Sequence, residues 1–357
     1  MDIRFERTNS PKPKPEANEL GFGVFFTDHM FVMDYTEDRG WHDPAIVPYG
    51  PLEMDPAAMV LHYGQAVFEG LKAFRDPNGR ILLFRPDQNI KRLNRSDDRV
   101  CIPALDEDFV LQALKQLIQI DAYWVPSAPC TSLYIRPFTF ATEPHLGVRP
   151  SKTYKFIIIL SPVGSYYACG LAPTRIYIED EYVRAVRGGI GFTKATANYA
   201  ASLKAQVKAQ ELGYAQVMWL DGIERKYIEE IGTSNAFFLI GDKLVTPDPS
   251  GGSILSGVTR DSVIQLAKSW GIEVEERNIS IQELCDAQAD GSLKEAFASG
   301  TAAVISPVGE FNWAGSKIIV NKGEIGPLAQ RLYDTLDAIQ TGKAEDPFGW
   351  IVEVPLV

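Results

Sequence analysis

Lys194 stands between a glycine-rich approach, Gly188-Gly189-Ile190-Gly191, and the pair Asn198-Tyr199, and about one βαβ-sized unit later comes Glu230-Ile231-Gly232-Thr233-Ser234-Asn235. A Schiff-base cofactor asks a protein for an amine that is neutral part of the time, a carboxylate beneath its ring nitrogen and a cradle for its phosphate. This stretch can supply all three, which makes it a candidate pyridoxal phosphate site. Taken alone, Lys194 reads as a solvated strand-end lysine. Its neighbours reverse that reading.

The ring of such a cofactor is an electron sink only while its nitrogen stays protonated, and a carboxylate beneath it holds that proton. Glu229 and Glu230 are both available, but in an extended segment they point to opposite faces, so one of them faces the cofactor. The alternative is two solvated glutamates on a strand. Gly232-Thr233-Ser234-Asn235 favours the ligand reading, because small residues and hydroxyls let a backbone approach a ligand closely, and Thr233 joins the cofactor-contacting candidates. Gly251-Gly252-Ser253 and Ser256-Gly257-Val258-Thr259 lead into a helix, and exposed N–H groups at a helix start attract an anion. An ordinary capped loop is the other explanation. No lysine follows the glycine and no G-x-G-x-x-G opens a helix, so neither nucleotide loop is present. Ser299-Gly300-Thr301-Ala302 suits a phosphate, a substrate carboxylate or a tight corner.

Two arginines call for different explanations. Arg92 shares a helical stretch with Lys91, Arg95 and Arg99, where a solvated basic face is the usual account. Arg136 lies between Tyr134 and Pro137 in an apolar β run, where an unpaired guanidinium is costly. A buried ion pair and an anionic substrate both answer that cost.

The chain that must position these residues has 357 of them, too many for one ordinary core, with 45% hydrophobic and 23% charged. Two domains are expected. With 35 basic against 46 acidic side chains the net charge is -11, which argues against nucleic acid or an anionic membrane as partner. Cys101, Cys130, Cys169 and Cys285 form no C-x-x-C and no recognisable disulfide framework, so a reducing, cytoplasmic home is expected. His29, His42, His62 and His145 lack metal-ligand spacing, and no metal is expected. The start has no apolar signal region and no later run is long enough to span a bilayer.

From Phe22 to about Val163, β runs (Phe25 to Tyr35, Ile81 to Phe84, Ser132 to Phe140, Tyr154 to Leu160) alternate with helical patterns, the clearest carrying Val110, Ala113, Leu114, Leu117 and Ile118 on one face. This predicts an α/β domain over 1–163, its first 20 residues a mobile arm with the Pro/Lys stretch Ser10 to Pro15. Turn formers place a linker at 164–174. A larger α/β domain over 175–357 then carries the lysine, with a helix from about Asn198 to Leu212 stopped by Gly213, a strand Gln216 to Leu220, a hairpin turning at Gly241-Asp242, and helices near Val258 to Trp270 and Pro327 to Gln340.

Longer motifs agree with this site. In order come Glu230, Gly232, Asn235, Ala236 and Phe237, then Leu244-Val245-Thr246, then Leu255, Gly257, Val258 and Arg260. Upstream stand Phe26-Thr27-Asp28-His29-Met30, His62-Tyr63, Phe68-Glu69-Gly70-Leu71-Lys72-Ala73-Phe74, Tyr134-Ile135-Arg136-Pro137 and Glu143-Pro144-His145-Leu146-Gly147-Val148. From Phe22 nearly to the C-terminus the sequence resembles the branched-chain amino acid aminotransferases, members of the class IV (fold type IV) pyridoxal-phosphate enzymes. The resemblance implies a two-domain α/β fold with mixed sheets and the cofactor, pyridoxal 5'-phosphate, in the cleft between domains. It implies Lys194 as the Schiff-base lysine, Glu230 on the pyridine nitrogen, Tyr199 on the ring oxygen, and Arg92, Val258, Thr259 and Thr301 around the phosphate. Phe22, Tyr63, Phe68, Tyr134 and Ala302 would shape the substrate pocket, with Arg136 for the distal carboxylate of glutamate. Tyr63, Leu146 and Val148 would reach the site from the neighbouring subunit, making a homodimer the minimum unit.

The implied activity is reversible amino transfer between L-leucine, L-isoleucine or L-valine and 2-oxoglutarate. Rivals on the same scaffold are a D-amino acid or (R)-amine transaminase and an aminodeoxychorismate lyase, against which Tyr134-Ile135-Arg136-Pro137 argues. A rival of another class is a non-catalytic binder of a phosphate ligand. Two departures stand out. Thr196-Ala197 replace the family's usual Gly-Gly pair, adding Cβ atoms beside the lysine, and Ala303 and Ser306 occupy the places where some relatives carry a redox C-x-x-C.

Overall fold

The computed structural model describes residues 1–164 and 171–356, so 165–170 of the expected linker lie outside the described residues. The chain divides into two units, Met1–Tyr166 with Thr193–Ala197 and Ala338–Val357, and Tyr167–Phe192 with Asn198–Asp337. The sequence reading assigned all of 175–357 to one domain. In the structure Ile351–Val354 pairs antiparallel with Ile81–Phe84 and Ala195 bridges to Val67, so these two segments pack with the first unit.

The first unit is a nine-stranded sheet in which Ser132–Ala141 is central, pairing with Thr153–Val163 on one side and with Leu71–Arg75 and Ala66–Phe68 on the other. Strand side chains alternate between faces, and both faces here are covered. Phe156, Ile158 and Leu160 pack into the main core with Phe31 and Ile46, while Ile157 packs on the other side with Ala66 and Phe140. That is why Phe156 to Leu160 read as a continuous apolar run. The helix Glu107–Ile120 is capped by Asp106, whose side chain accepts the Phe109 N–H, and the five apolar positions expected on its inner face are all buried.

The Pro/Lys arm, expected to be mobile, is tied down. The Lys12 N–H donates to Asp28 at 2.8 Å, its ammonium donates to the carbonyls of Phe26 and Thr27 at 3.3 and 2.8 Å, and the Thr8 N–H donates to His29 Nε2 at 3.0 Å. The sequence shows only a Pro/Lys composition there; the partners lie 14 to 21 residues away.

The second unit is another nine-stranded sheet. Ile228–Ile231 pairs with Gln216–Leu220 and also with Ser234–Ile240, so the strand order returns on itself and six strands close into a barrel. Gly232, at φ +58°, makes the tight turn that sets Glu230 opposite Asn235. The expected hairpin at Gly241-Asp242 is present, as are the strand Gln216–Leu220 and the helices Val258–Ser269 and Pro327–Gln340. Cys101 and Cys285 are free, while Cys130 is disulfide-bonded, a pairing that the cysteine spacing does not reveal because spacing carries no information on spatial approach. Among the described residues no helix is long and apolar enough to cross a membrane.

Candidate active site

In the first unit the backbone at Lys194 is fixed from several sides. Its N–H donates to Ser96 Oγ at 3.0 Å, its carbonyl accepts from the Phe68 N–H at 3.1 Å, and the next residue bridges to Val67. The amine lies 4.8 Å from the Phe68 ring centre. Over the same ring, at 4.5 Å, is the Arg136 guanidinium, which also donates to Tyr134 Oη at 2.8 Å. Phe22 packs on Tyr134 with ring centres 5.0 Å apart. Arg136 pairs with no carboxylate among the described residues and its Nε is buried without a hydrogen-bond partner, so the ion-pair explanation for this residue does not hold within them. Gly70 makes room for Tyr134, since a Cβ there would overlap the phenol oxygen.

Arg92 points inward rather than forming a solvated basic face. It grips Glu69 through Nε at 2.7 Å and Nη2 at 2.9 Å, and Asn89 and the Gly70 N–H add donors to Glu69 at 2.9 and 3.0 Å. Burial works to raise the Glu69 pKa, but the adjoining Arg92, the charge of Lys194 and Asn89 outweigh it and hold the carboxyl below its ordinary range. Tyr63, Leu146 and Val148 are all exposed. Their segments are joined by Met59 N–H to Glu143 and His145 N–H to Ala57 backbone bonds.

In the second unit Glu230 is buried and accepts the Leu255 N–H at 2.7 Å, with Arg184 3.3 Å away. Arg184 also donates to the carbonyls of Gly191 and Ser253, tying the glycine approach, the Ser253 loop and the acid together. Asn235 donates to the Leu255 carbonyl at 2.8 Å. Gly257 begins the helix Val258–Ser269 with no side-chain cap bond, and a Cβ on it would strike Asn235 Oδ1. Asn235 pairs with Ser299 across the neighbouring strand, whose buried hydroxyl lacks a partner and after which Thr301 and Ala302 follow. Leu255 and Asn235 thus connect Glu230 to the start of the helix that carries Val258 and Thr259, while Thr301 and Ala302 follow the strand that runs beside Asn235. Thr233 sits exposed at the hairpin tip, and Tyr199 lies in the first turn of the helix Thr196–Glu211. The Thr196 hydroxyl is directed at the carbonyls of Gly64 and Ala66, each at 3.5 Å.

This donor set fits a phosphorylated pyridine: a buried acid with its own cationic neighbour, a helix start whose cap supplies no side-chain bond, and an orphaned buried hydroxyl. Sequence reading missed Arg184 and Ser96, which lie in a loop and a polar run with no local signal, whereas Glu69 and Ser253 were legible only as members of motifs.

Glu229 is not solvated either. It is buried, accepts the Ser253 hydroxyl and leaves Oε2 without a partner, and burial pushes its pKa up to about 7 against the ordinary 4.5. A raised folded pKa means that the stability of the neutral acid is fully present below pH 4.5 and lost as pH rises through about 7. Glu229→Gln removes that titration. Its stability should stay flatter than that of wild type between pH 5 and 8, by a difference on the order of 2 to 3 kcal/mol; parallel melting-temperature profiles against pH for the two proteins would refute the assignment.

Residues 66–311 match the family model for amino-transferase class IV. Branched-chain-amino-acid aminotransferase 2 of Bacillus subtilis is 59% identical over 99% of this chain and 97% of its own. Among solved structures, the Escherichia coli branched-chain amino acid aminotransferase superposes with a TM-score of 0.77 at 29% identity, covering 92% of this chain and 99% of that one. The T.th. branched-chain amino acid aminotransferase complexed with N-(5'-phosphopyridoxyl)-L-glutamate gives 0.72 at 26%, covering 90% and 98%. The chain belongs to the class IV aminotransferases and, within them, to the branched-chain-amino-acid aminotransferases.

Proposed function

We propose that this enzyme moves the amino group reversibly between L-leucine, L-isoleucine or L-valine and 2-oxoglutarate, with pyridoxal 5'-phosphate as cofactor. The observation that carries the reading is Arg136: a guanidinium with no carboxylate partner among the described residues, set against the aromatic rings of Phe68 and Tyr134. One pocket then offers apolar surface to a branched side chain and a cation to glutamate. The glutamate adduct of the T.th. enzyme supports the second half of that statement.

When bound, the cofactor supplies a protonated pyridine ring that withdraws electrons from the substrate Cα. Glu230 would hold the proton on the ring nitrogen, itself fixed in place by the Leu255 N–H and Arg184. Arg92, Val258, Thr259 and Thr301 would hold the phosphate, Tyr199 the ring oxygen, and Thr233 the edge of the same cradle. Lys194 would anchor the cofactor and, once its amine is displaced by the substrate's, carry the proton away from Cα and return it to the neighbouring carbon. Phe22, Phe68, Tyr134 and Ala302 would line the substrate side.

A homodimer is the proposed unit, since Tyr63, Leu146 and Val148 are exposed apolar residues on joined segments. Light scattering on the purified enzyme should give twice the chain mass, and a monomer active at the same rate would overturn it. A cytoplasmic home is part of the reading: the free Cys101 and Cys285 accord with it and the bonded Cys130 does not, so cell fractionation decides. The activity itself is tested by mixing the enzyme with single L- and D-amino acids and following conversion of the bound cofactor to its pyridoxamine form. Conversion by L-leucine, L-isoleucine, L-valine and L-glutamate is expected; conversion by D-alanine alone would overturn the proposal.

A further inference from the structure

We infer that Lys12 is a positioning residue for the substrate pocket: it closes the segment between itself and Thr27 into a pinned loop and thereby holds Phe22 against Tyr134. The inference rests on the proposed reading of Phe22 and Tyr134 as walls of that pocket.

The loop is closed by one side chain and one amide. The Lys12 N–H donates to Asp28 Oδ1 at 2.8 Å, and its ammonium bridges the carbonyls of Phe26 and Thr27 at 3.3 and 2.8 Å while lying 4.1 Å from the Tyr49 ring centre. The place where the loop is tied is itself rigid. Asp28 accepts from Tyr123 Oη and, at 3.1 Å, from Trp124 Nε1, and the neighbouring His29 is paired with buried Asp121 at 2.7 Å. Inside the loop Leu20 is buried and the Gly21 carbonyl accepts the Gly164 N–H at 2.9 Å.

Phe22 follows directly, five residues before Thr27, with its ring 5.0 Å from Tyr134 and still partly exposed. Tyr134 in turn accepts from Arg136. A loop of this length loses considerable freedom when its ends are joined, so releasing the tie lets Phe22 sample positions away from the pocket wall. The consequence falls on substrate capture and not on the chemical step.

The test uses full-length holoenzyme carrying Lys12→Met, which keeps the apolar stem and removes the donors, and Lys12→Arg, which restores them. Half-reactions with L-leucine should show KM raised about fivefold in Lys12→Met with kcat changed less than about twofold, the pattern of lost uniform binding. Chymotrypsin should cut the arm near Leu20 and Phe22 faster. Lys12→Arg should return both readouts toward wild type, and Lys12→Met added to Phe22→Ala should raise KM no further than Phe22→Ala alone. Faster cleavage with unchanged KM, unchanged cleavage, or an equal fall in kcat each overturns the inference. If wild type itself fails to react with L-leucine, the proposed function falls first, and the cleavage rates still report whether Lys12 ties the loop.

Discussion

Replacing Lys194 with alanine is expected to abolish transamination while leaving a folded protein. In the proposed function the amine would be both the anchor and the base at Cα, and loss of a positioned acid–base group alone costs roughly 10²- to 10⁴-fold before the covalent role is counted. The fold should survive because the segment is held through its main chain. Ser96 accepts its N–H, Phe68 donates to its carbonyl and Ala195 bridges to Val67, contacts an alanine keeps. Glu69, which feels the lysine's charge, retains Arg92, Asn89 and the Gly70 N–H as partners. The melting temperature of Lys194→Ala should therefore lie close to wild type. Borohydride reduction of the wild-type holoenzyme followed by peptide mapping should place the label on Lys194. A label on another lysine would sink the assignment whatever the rate of the variant.

What could be read from the sequence was what leaves a local trace. The helix Glu107–Ile120 shows its inner face because Val110, Ala113, Leu114, Leu117 and Ile118 repeat at the helical period and are buried for that reason. The strand Thr153–Val163 shows as an apolar run over Phe156 to Leu160 because two cores cover its two faces there. Glu230, Gly257 and the residues after them form a motif because a hairpin and a helix start demand particular residues.

Partners far along the chain leave no such trace. Nothing local tells that Ile351–Val354 completes the sheet beside Ile81–Phe84, or that Arg92 in a run of basic residues turns inward to a glutamate 23 positions earlier. Arg184 is the clearest case. By type and spacing it is an ordinary loop arginine, and only the fold shows it joining Glu230 to the carbonyls of Gly191 and Ser253. The arm failed for the opposite reason: its Pro/Lys composition does suggest mobility, and the tie at Lys12 depends on carbonyls and a carboxylate that composition cannot reveal.

Arg136→Met is expected to separate the two halves of the reaction, because a branched-chain transaminase must take an apolar side chain and the glutamate carboxylate into one pocket. In the structure the guanidinium is satisfied incompletely, by the Tyr134 hydroxyl and by the faces of Phe68 and Tyr134, with Nε buried and unpartnered. In the proposed pocket those contacts would suffice with leucine bound, since the aromatic faces carry part of the cost of a desolvated cation. An arriving carboxylate adds a charge-assisted bond to the guanidinium. Methionine keeps most of the stem's volume and removes the charge, so leucine should lose little, whereas glutamate and 2-oxoglutarate should lose on the order of 2 to 5 kcal/mol. Separate half-reactions with L-leucine and L-glutamate measure the difference directly. Equal losses for the two substrates would make Arg136 a residue of the fold and not of the pocket, and its incompletely paired charge would no longer account for recognition of both substrates.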